Sequence, residues 1–286
     1  MTAVAQALQS LSLPPPVSAS SLEGGCIHDV RLVRLEDKTS VVCKVACGDD
    51  GRSQLLCEDA GLARLAHTRT VRVPCVHGLV HRSHETILVM EYLPPGADGN
   101  WTQAGQQLGQ MHLANVGKRY GVADDFWIGG TRFQGGWSDD WCEGLSEHCL
   151  SPVVRSCRDQ GVLYANECTS IGRVIDALPN IVPSNPTPSL LHGDLWQGNL
   201  YVMQCGTVAF IDPASWVGDP MVDLAMVSLF GGLPAGFVQA WRASGIDHTS
   251  GRDRIAVGQL LHLLNHARLF GRSYVPGVLE RVDQLT

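Results

Sequence analysis

The most informative stretch of this chain is His192-Gly193-Asp194-Leu195-Trp196-Gln197-Gly198-Asn199, followed by Phe210-Ile211-Asp212-Pro213. Asp194 and Asn199 are five residues apart, and Asp212 lies thirteen beyond Asn199. A carboxylate such as Asp194 can orient a hydroxyl group and accept its proton. An Asn oxygen and a second carboxylate are ligands suited to Mg²⁺. The alternative is that all three are loop residues, because Asp, Asn and Gly are common in turns.

The segment between Asn199 and Asp212 predicts a β-hairpin, with strands over 199–203 and 207–212 around the turn Gln204-Cys205-Gly206. A hairpin brings its two ends to one edge, so Asn199 and Asp212 are expected to lie together. Asp-x-x-x-x-Asn, a hairpin and a second Asp is the order found in the catalytic loop and metal site of kinases. This context favours the catalytic interpretation over the loop alternative.

Two charged residues upstream fit the same chemistry. Lys44 ends an apolar strand predicted over 40–45, and Glu58 lies on a helix predicted over 52–66. Kinases use such a Lys–Glu pair to hold an ammonium against nucleotide phosphates. Taken singly, Lys44 could be a solvated residue at a strand end and Glu58 a solvated residue on a helix face. The downstream motif favours the interpretation that the two form a functional ion pair.

Backbone groups complete the predicted nucleotide site. Gly24-Gly25 precedes Lys44 by one hairpin, whose strands are predicted over 29–35 and 40–45. The glycine pair predicts a loop over the phosphates, although Gly pairs usually mark turns. Glu91 and Leu93 follow the apolar strand predicted over 86–91, where backbone amides and carbonyls could meet an adenine edge. Cys26 follows the glycine pair, and we expect it to be the most oxidation-sensitive thiol.

The order of predicted elements divides the chain into a small β-rich lobe with one main helix, residues 1–93, and a larger, mainly helical lobe, residues 94–286. Pro94-Pro95-Gly96 marks the boundary. The helices of the second lobe are predicted over 102–114, 137–158, 160–178, 220–230 and 255–270. The predicted fold class is therefore α+β.

Composition excludes several classes of protein. The net charge of −7 argues against binding to nucleic acid, which requires clustered Lys and Arg. No apolar run approaches the ~20 residues needed to span a bilayer, and no Lys or Arg occurs in the first twenty residues, where a secretory signal would carry its basic start. The ten cysteines form no Cys-x-x-Cys pair, and without a secretory signal we expect them to be thiols and not disulfides. Together these features predict a cytoplasmic protein without a membrane partner.

From about Ser21 to about Tyr274 the sequence resembles the fructosamine kinase (ketosamine 3-kinase) family, within the aminoglycoside-phosphotransferase and protein-kinase-like fold. The matching stretches span the chain: GGCI at 24–27, LVME at 88–91, FWIGGT at 126–131, GWSDDW at 136–141, HGDLWQGN at 192–199, DPASWVGDPMVDLAMVSLFGG at 212–232 and LLHLLNHARLFGRSY at 260–274. HGDxxxxN alone marks the broad phosphotransferase group, whereas Trp196 and Asp-Pro-Ala at 212–214 point to this branch.

The resemblance implies a two-lobe fold with an antiparallel N-terminal sheet, and it implies ATP and Mg²⁺ as cofactors. Asp194 would be the catalytic base, Asn199 and Asp212 the metal ligands, and Lys44 with Glu58 would serve the ATP phosphates. The implied reaction is phosphorylation of O3 of a ketosamine such as fructosamine or ribulosamine, on free amino acids or on glycated proteins, which would labilise the sugar–amine bond in a deglycation repair. The enzyme would act as a monomer or homodimer.

Three tryptophans are candidate walls of the acceptor pocket. Trp196 lies two residues after Asp194 and could pack on a sugar ring or on a cationic amine; alternatively, it anchors the catalytic loop in the core. Trp137 and Trp141 are predicted one helical turn apart, a spacing that by default indicates core packing.

The alternatives that stay open concern both single residues and function. Asp223 resembles the buried helix aspartate that braces a catalytic loop, or it is an acidic residue favoured in the first turn of a helix. His262 and His266 lack the Glu of a zinc protease motif and are expected to be structural. The other functions considered are a kinase for another small alcohol, aminoglycoside- or choline-like, and a nucleotide-binding pseudokinase.

Overall fold

A computed structural model of the chain describes residues 2–22, 28–114 and 116–286. The chain forms two compact units. The N-terminal unit runs to Asn100 and includes the segment Gly198–Pro213, and the C-terminal unit comprises Trp101–Gln197 and Ala214–Thr286. The predicted lobe boundary after residue 93 differs from this division mainly in the segment Gly198–Pro213; as a functional boundary it stays a prediction.

The N-terminal unit contains a five-stranded antiparallel sheet with the order β1-β2-β3-β5-β4. The three strands predicted from the sequence are confirmed as β2, β3 and β5, which are rich in the β-branched and apolar residues that favour strands. The prediction missed the outer strands, whose sequences mix Ser, His and Gly with apolar residues. The strands are β1 Pro16–Ser21, β2 Asp29–Leu35, β3 Ser40–Cys47, β4 Val76–Arg82 and β5 Glu85–Glu91.

Helices cover both faces of this sheet. Helix α1, Thr2–Ser10, was not predicted; its Val4 and Leu8 pack with Cys43 of β3 and other buried sheet residues. Successive side chains of a strand point to opposite faces, so Lys44 faces away from α1. On that second face lies α2, Gly48–Thr68, the helix predicted over 52–66. The alternation along β3 therefore places Lys44 on the α2 side.

The C-terminal unit is mainly helical, as predicted. Its helices are α3 Trp101–His112, α4 Trp141–Leu145, α5 Ser151–Asp159, α6 Ala165–Ile181, α7 Met221–Leu229, α8 Ala235–Arg242, α9 Gly251–Phe270 and α10 Val275–Leu285. Helix α7 is buried along most of its length and packs against α9. Among the described residues, no helix combines the length and apolar character needed to cross a membrane.

Short strands interrupt these helices, and they overturn one predicted helix. The helix predicted over 137–158 is wrong at its start, because Trp137 lies in a strand that pairs with Tyr120–Val122 and the first helical residue is Trp141. The strands form two small sheets: β6 Tyr120–Val122, β7 Phe126–Ile128, β8 Thr131–Phe133, β9 Gly136–Ser138, β10 Ser189–Leu190 and β13 Val217–Gly218.

The predicted hairpin is confirmed as β11, Leu200–Val202, and β12, Val208–Phe210, with Leu200 paired to Phe210. It belongs to the N-terminal unit. The Phe210 amide donates to the Arg72 carbonyl at 2.7 Å, and the Gly96 amide donates to the Val202 carbonyl at 2.9 Å. The first bond attaches β12 to the segment before β4, and the second attaches β11 to the segment after β5.

Candidate active site

Lys44, Glu58 and Asp212 form a partly buried ion-pair cluster in the N-terminal unit. The Lys44 Nζ lies 2.6 Å from Oε1 of Glu58 and 2.6 Å from Oδ1 of Asp212. The predicted Lys44–Glu58 pair is thus brought together, and the structure adds Asp212 as a third member. The side chain of Asp212 is 40% exposed, whereas those of Lys44 and Glu58 are nearly inaccessible. Asp212 is therefore the member of the cluster that a ligand could reach.

The charge of Lys44 is stabilised by this arrangement. Burial opposes the ammonium, but Asp212 and Glu58 outweigh it and hold the pKa of Lys44 above its ordinary value. His28, half-buried nearby, shows the opposite shift: burial and the Lys44 charge lower its pKa, with Asp212 acting against them. His28 has no motif around it in the sequence, and the prediction missed it.

Asn199 and Asp212 stand at the two ends of the hairpin, as predicted. The Ile211 amide donates to the Asn199 carbonyl at 3.0 Å, so the base of the hairpin is closed by a backbone bond. Asp212 adopts a left-handed backbone conformation with φ of 56°, which is uncommon for a non-glycine residue and often occurs at functional sites. This turn directs the Asp212 side chain to Lys44.

The oxygen donors of Asn199 and Asp212 fit a magnesium ion. Mg²⁺ prefers hard oxygen ligands and is usually bound through one or two carboxylates plus substrate phosphates and waters. Among residues 2–22, 28–114 and 116–286, no group of three or more His, Cys, Asp or Glu side chains could hold a metal ion. Two oxygen donors leave the remaining Mg²⁺ ligands to phosphates and waters, which is the usual arrangement for Mg²⁺ bound with a nucleotide.

The backbone of Glu91 and Leu93 is partly used within the N-terminal unit. The Glu91 amide donates to the Cys75 carbonyl at 2.8 Å, and the Leu93 carbonyl accepts from the Tyr201 hydroxyl at 3.0 Å. The Glu91 carboxylate pairs with Arg72. The Glu91 amide and the Leu93 carbonyl are thus already bonded within the unit. The predicted contact of this backbone with an adenine edge stays a prediction. Gly24, Gly25 and Cys26 lie outside the described residues.

Asp194 lies in the C-terminal unit, on a loop whose backbone is held by Asp223 of α7. The amides of His192 and Gly193 donate to Oδ2 and Oδ1 of Asp223 at 2.8 and 2.9 Å. Asp223 is fully buried, so it occupies the bracing position that the family resemblance suggested. Burial works against its ionised form, but the hydrogen bond from His112 and the other donors lower its pKa below the ordinary value.

The position of Gly193 has a backbone conformation and a close contact that only glycine accommodates. Its φ is 83°, and a Cβ there would lie 2.3 Å from the Ala214 carbonyl oxygen. The Ala214 amide in turn donates to the His192 carbonyl at 2.9 Å. The glycine of the His-Gly-Asp motif thus allows the residue before Asp194 to pack directly against the chain after Asp212.

Two residues that the prediction missed extend this brace. His112 of α3 places Nε2 3.0 Å from Oδ2 of Asp223, and Trp241 of α8 places its indole nitrogen 2.9 Å from Nδ1 of His112. Both side chains are buried. The one signal in the sequence is that His112 lies on the apolar face of a predicted helix. Its partners Asp223 and Trp241 are 111 and 129 residues away, so no local pattern connects them.

The three tryptophans have different surroundings. Trp196 is 38% exposed on the loop after Asp194, and Trp137 is 39% exposed on β9. Trp141 is only 1% exposed and stacks on Trp216 with ring centroids 5.7 Å apart. The assumption that Trp137 and Trp141 share one helix is wrong, and the burial of Trp141 favours core packing. As acceptor-pocket walls, all three stay predictions.

Comparison with known sequences decides the family. The sequence profile of the fructosamine kinase family matches residues 1–286. The chain belongs to the fructosamine kinase family. A probable ketoamine kinase of Synechocystis sp. is 34% identical over 259 residues, covering 89% of this chain and 85% of that protein. The chloroplastic protein-ribulosamine 3-kinase of Arabidopsis thaliana is 31% identical over 232 residues, covering 79% and 70%.

Solved structures agree on the fold. A fructosamine-3-kinase homologue from Haemophilus somnus superposes with a TM-score of 0.89 at 25% identity, over 99% of this chain and 96% of that one. The GDP complex of aminoglycoside 2'-phosphotransferase-IIIa shares the fold, with a TM-score of 0.65 at 15% identity over 99% and 97%. The chain is a kinase with the two-lobe, α+β, protein-kinase-like fold, as predicted.

Proposed function

We propose that this kinase transfers the γ-phosphoryl group of ATP to O3 of a ketosamine, such as fructosamine or ribulosamine, carried by a free amino acid or a protein. The observation that carries the proposal is Lys44 held between Glu58 and Asp212, in a chain that keeps Asp194 and Asn199 at kinase spacing. The names of the ketoamine and ribulosamine kinases to which the chain is similar support this acceptor class.

In this proposal each residue has one task. Lys44 binds the ATP phosphates, and Glu58 keeps its ammonium in place. Asn199 and Asp212 hold Mg²⁺, which when bound neutralises charge on the phosphates. Asp194 orients the O3 hydroxyl and accepts its proton as the new O3–P bond forms; the bond between the γ-phosphorus and the bridging oxygen breaks, and ADP leaves. Catalysis then rests mainly on positioning and charge neutralisation.

The product explains a repair role. A phosphate on O3 labilises the sugar–amine bond, so the amine is released and early glycation is reversed. We propose that the enzyme acts in the cytoplasm on small ketosamines or on glycated proteins. No part of this proposal requires nucleic acid or a membrane.

The proposal is tested by ADP release on a panel of fructosamine, ribulosamine, an aminoglycoside and choline with MgATP. We expect turnover with a ketosamine and little with the other two acceptors. Turnover confined to the aminoglycoside or choline would show that the acceptor is that alcohol and not a ketosamine. ATP binding without turnover on any acceptor would favour a pseudokinase.

Two substitutions separate the predicted roles. Asp194→Asn should abolish turnover while ATP affinity stays within a few-fold, because the Lys44 and metal-binding groups lie on other segments. Asp212→Ala should weaken Mg²⁺-dependent ATP binding as well, because it removes a ligand and one partner of Lys44. Near-normal turnover in Asp194→Asn would refute the assignment of the base.

The exposed Trp196 provides a test of the acceptor. A cation–π contact of ~0.5–2 kcal/mol with the ketosamine amine corresponds to at most about a thirty-fold effect. We expect Trp196→Ala to lower kcat/KM for the ketosamine by up to that factor, with unchanged KM for ATP and unchanged melting temperature. A mutant that instead loses several degrees of stability and both substrates together would indicate a structural anchor.

A further inference from the structure

The indole of Trp241 makes a polar contact in the interior of the C-terminal unit to which the proposed reaction assigns no role. Its indole nitrogen lies 2.9 Å from Nδ1 of His112, and both residues are buried. The rings meet edge to face, with an interplanar angle of 83°. This geometry points the indole N–H at one chosen nitrogen of the imidazole.

This contact and the Asp223 carboxylate together determine which nitrogen of His112 carries the proton. An indole nitrogen can only donate a hydrogen bond, so Nδ1 of His112 must be an acceptor and carry no hydrogen. The hydrogen of the neutral ring is then on Nε2, which donates to Oδ2 of Asp223 at 3.0 Å. The other tautomer would set two donors against each other at Trp241 and a lone pair against a carboxylate at Asp223.

The packing of α3 against α8 holds this contact in place. A Cβ at Gly105 would lie 2.1 Å from the Phe237 carbonyl oxygen, and one at Gly109 would lie 2.5 Å from Ser244. Both glycines lie on the α3 face that ends in His112, at the spacing of successive helical turns. The two glycines let the α8 backbone approach closely enough for Trp241 to reach His112.

The consequence reaches the loop that carries Asp194. Oδ2 of Asp223 accepts both from His112 and from the His192 amide, and Oδ1 accepts from the Gly193 amide. A His112 ring that presented a lone pair to Oδ2 would repel the carboxylate and turn it away from these amides. Asp194 directly follows His192 and Gly193, so loss of these two bonds would release the backbone that positions Asp194.

We propose that Trp241 is a positioning residue for the Asp194 loop: its indole N–H keeps a hydrogen off Nδ1 of His112, so that the ring stays neutral and donates its Nε2–H to the Asp223 carboxylate that holds the loop amides. Trp241 acts only through His112 and Asp223. The kinetic part of this inference rests on the proposed role of Asp194, whereas the tautomer itself does not depend on any activity.

The first experiment measures the tautomer in the wild-type protein. Two-bond ¹H–¹⁵N correlation spectra of protein labelled with ¹⁵N-histidine distinguish the two tautomers and the cation. The His112 signals are assigned by their loss in His112→Gln. We expect the Nε2–H pattern for His112, and either the Nδ1–H pattern or an imidazolium would overturn the proposal whether or not the chain phosphorylates a ketosamine.

The second experiment removes the indole donor. Trp241→Phe keeps an aromatic ring but no N–H, so Nδ1 of His112 can take a proton while Asp223 still accepts from Nε2. We expect the neutral Nε2–H pattern to give way to an imidazolium pattern and kcat to fall about two- to tenfold, the effect of one hydrogen bond, with KM for ATP within twofold of wild type. Trp101→Phe is the matched control, because it removes an indole N–H at the opposite end of α3, about 16 Å from His112 along the helix; it should change neither measurement.

The two measurements separate positioning from mere packing. If Trp241 only fills space, Trp241→Phe lowers the melting temperature but leaves the Nε2–H pattern and kcat unchanged, and the proposal is wrong. If the variant does not fold, the wild-type spectrum still decides the tautomer. Absence of ketosamine turnover in wild-type protein would count against the proposed function and not against this assignment.

Discussion

Gly193→Ala is the substitution for which the structure predicts the largest effect from the smallest change. Gly193 has φ of 83°, and an added Cβ would lie 2.3 Å from the Ala214 carbonyl oxygen. A left-handed conformation alone costs a non-glycine residue ~1–2 kcal/mol. Relief of the clash requires the loop to move away from Ala214, which breaks the bond from the Gly193 amide to Asp223. A hydrogen bond to a charged group contributes ~1.5–3 kcal/mol.

These contributions sum to about 2.5–5 kcal/mol, which for a chain of this size lowers the melting temperature by about 5–10 °C at ~2 °C per kcal/mol. Thermal unfolding monitored by calorimetry measures this shift. Because the next residue is Asp194, a displacement of ~1 Å should also reduce kcat by about 100-fold. ATP affinity should change little, because Lys44 and Asp212 lie in the N-terminal unit.

Gly161→Ala is the matched control. Gly161 has a similar φ of 71°, but nothing lies within 4 Å of a Cβ built there. It should lose only the ~1–2 kcal/mol of backbone strain, about 2–4 °C, with unchanged kcat. A Gly193→Ala enzyme that melts no lower than Gly161→Ala and keeps kcat within threefold would refute the close packing of this loop against Ala214.

Three further predictions concern other parts of the chain. Lys44→Met should raise KM for ATP about tenfold or more, since a charged hydrogen bond to phosphate is lost; unchanged KM in a folded variant would exclude Lys44 from the nucleotide site. Burial lowers the pKa of His262 from 6.5 to about 4, so the folded state resists its protonation. Stability should therefore fall by about 3 kcal/mol as pH drops from 6.5 to 4, and denaturant unfolding of His262→Leu should show a correspondingly smaller fall. Hydrogen bonding with the side chain and backbone of Thr207 lowers the pKa of the exposed Cys205 thiol, whereas burial raises the pKa of the Cys43 thiol to about 12. Mass-spectrometric alkylation should therefore label Cys205 well before Cys43, and equal rates would contradict this order.

Several features of the fold follow from local sequence patterns. Strands β2, β3 and β5, helix α2 and the hairpin of β11 and β12 were all predicted, because their apolar residues recur at strand or helix spacing and Gly-containing turns separate them. The helix predicted to begin at Trp137 is wrong at its start because helical spacing there is a coincidence. Trp137 lies in β9 and Trp141 begins α4, although the two residues are four positions apart. Helix α1 went unpredicted because its few apolar residues are stabilised by the sheet beneath them.

The nine described cysteines are free thiols, as expected from their spacing. The position of Lys44 beside Glu58 was also foreseen, since a strand end followed by a helix brings such residues together in kinases. That Asp212 completes the pair within 2.6 Å of Nζ was not foreseen, because it depends on the hairpin bonding to Arg72 and Gly96.

Motif spacing and local periodicity are properties of the linear chain, and they were enough to predict the family, the order of the main elements, and the candidate residues Lys44, Asp194, Asn199 and Asp212. The burial of Trp141 and the contacts of Trp241 and His112 behind Asp223 became visible only once the chain was folded. Those contacts join residues more than 100 positions apart, and the packing of whole helices determines which of many buried polar groups meet. A hydrogen-bond donor aimed at one nitrogen of one histidine has no counterpart in a local sequence pattern.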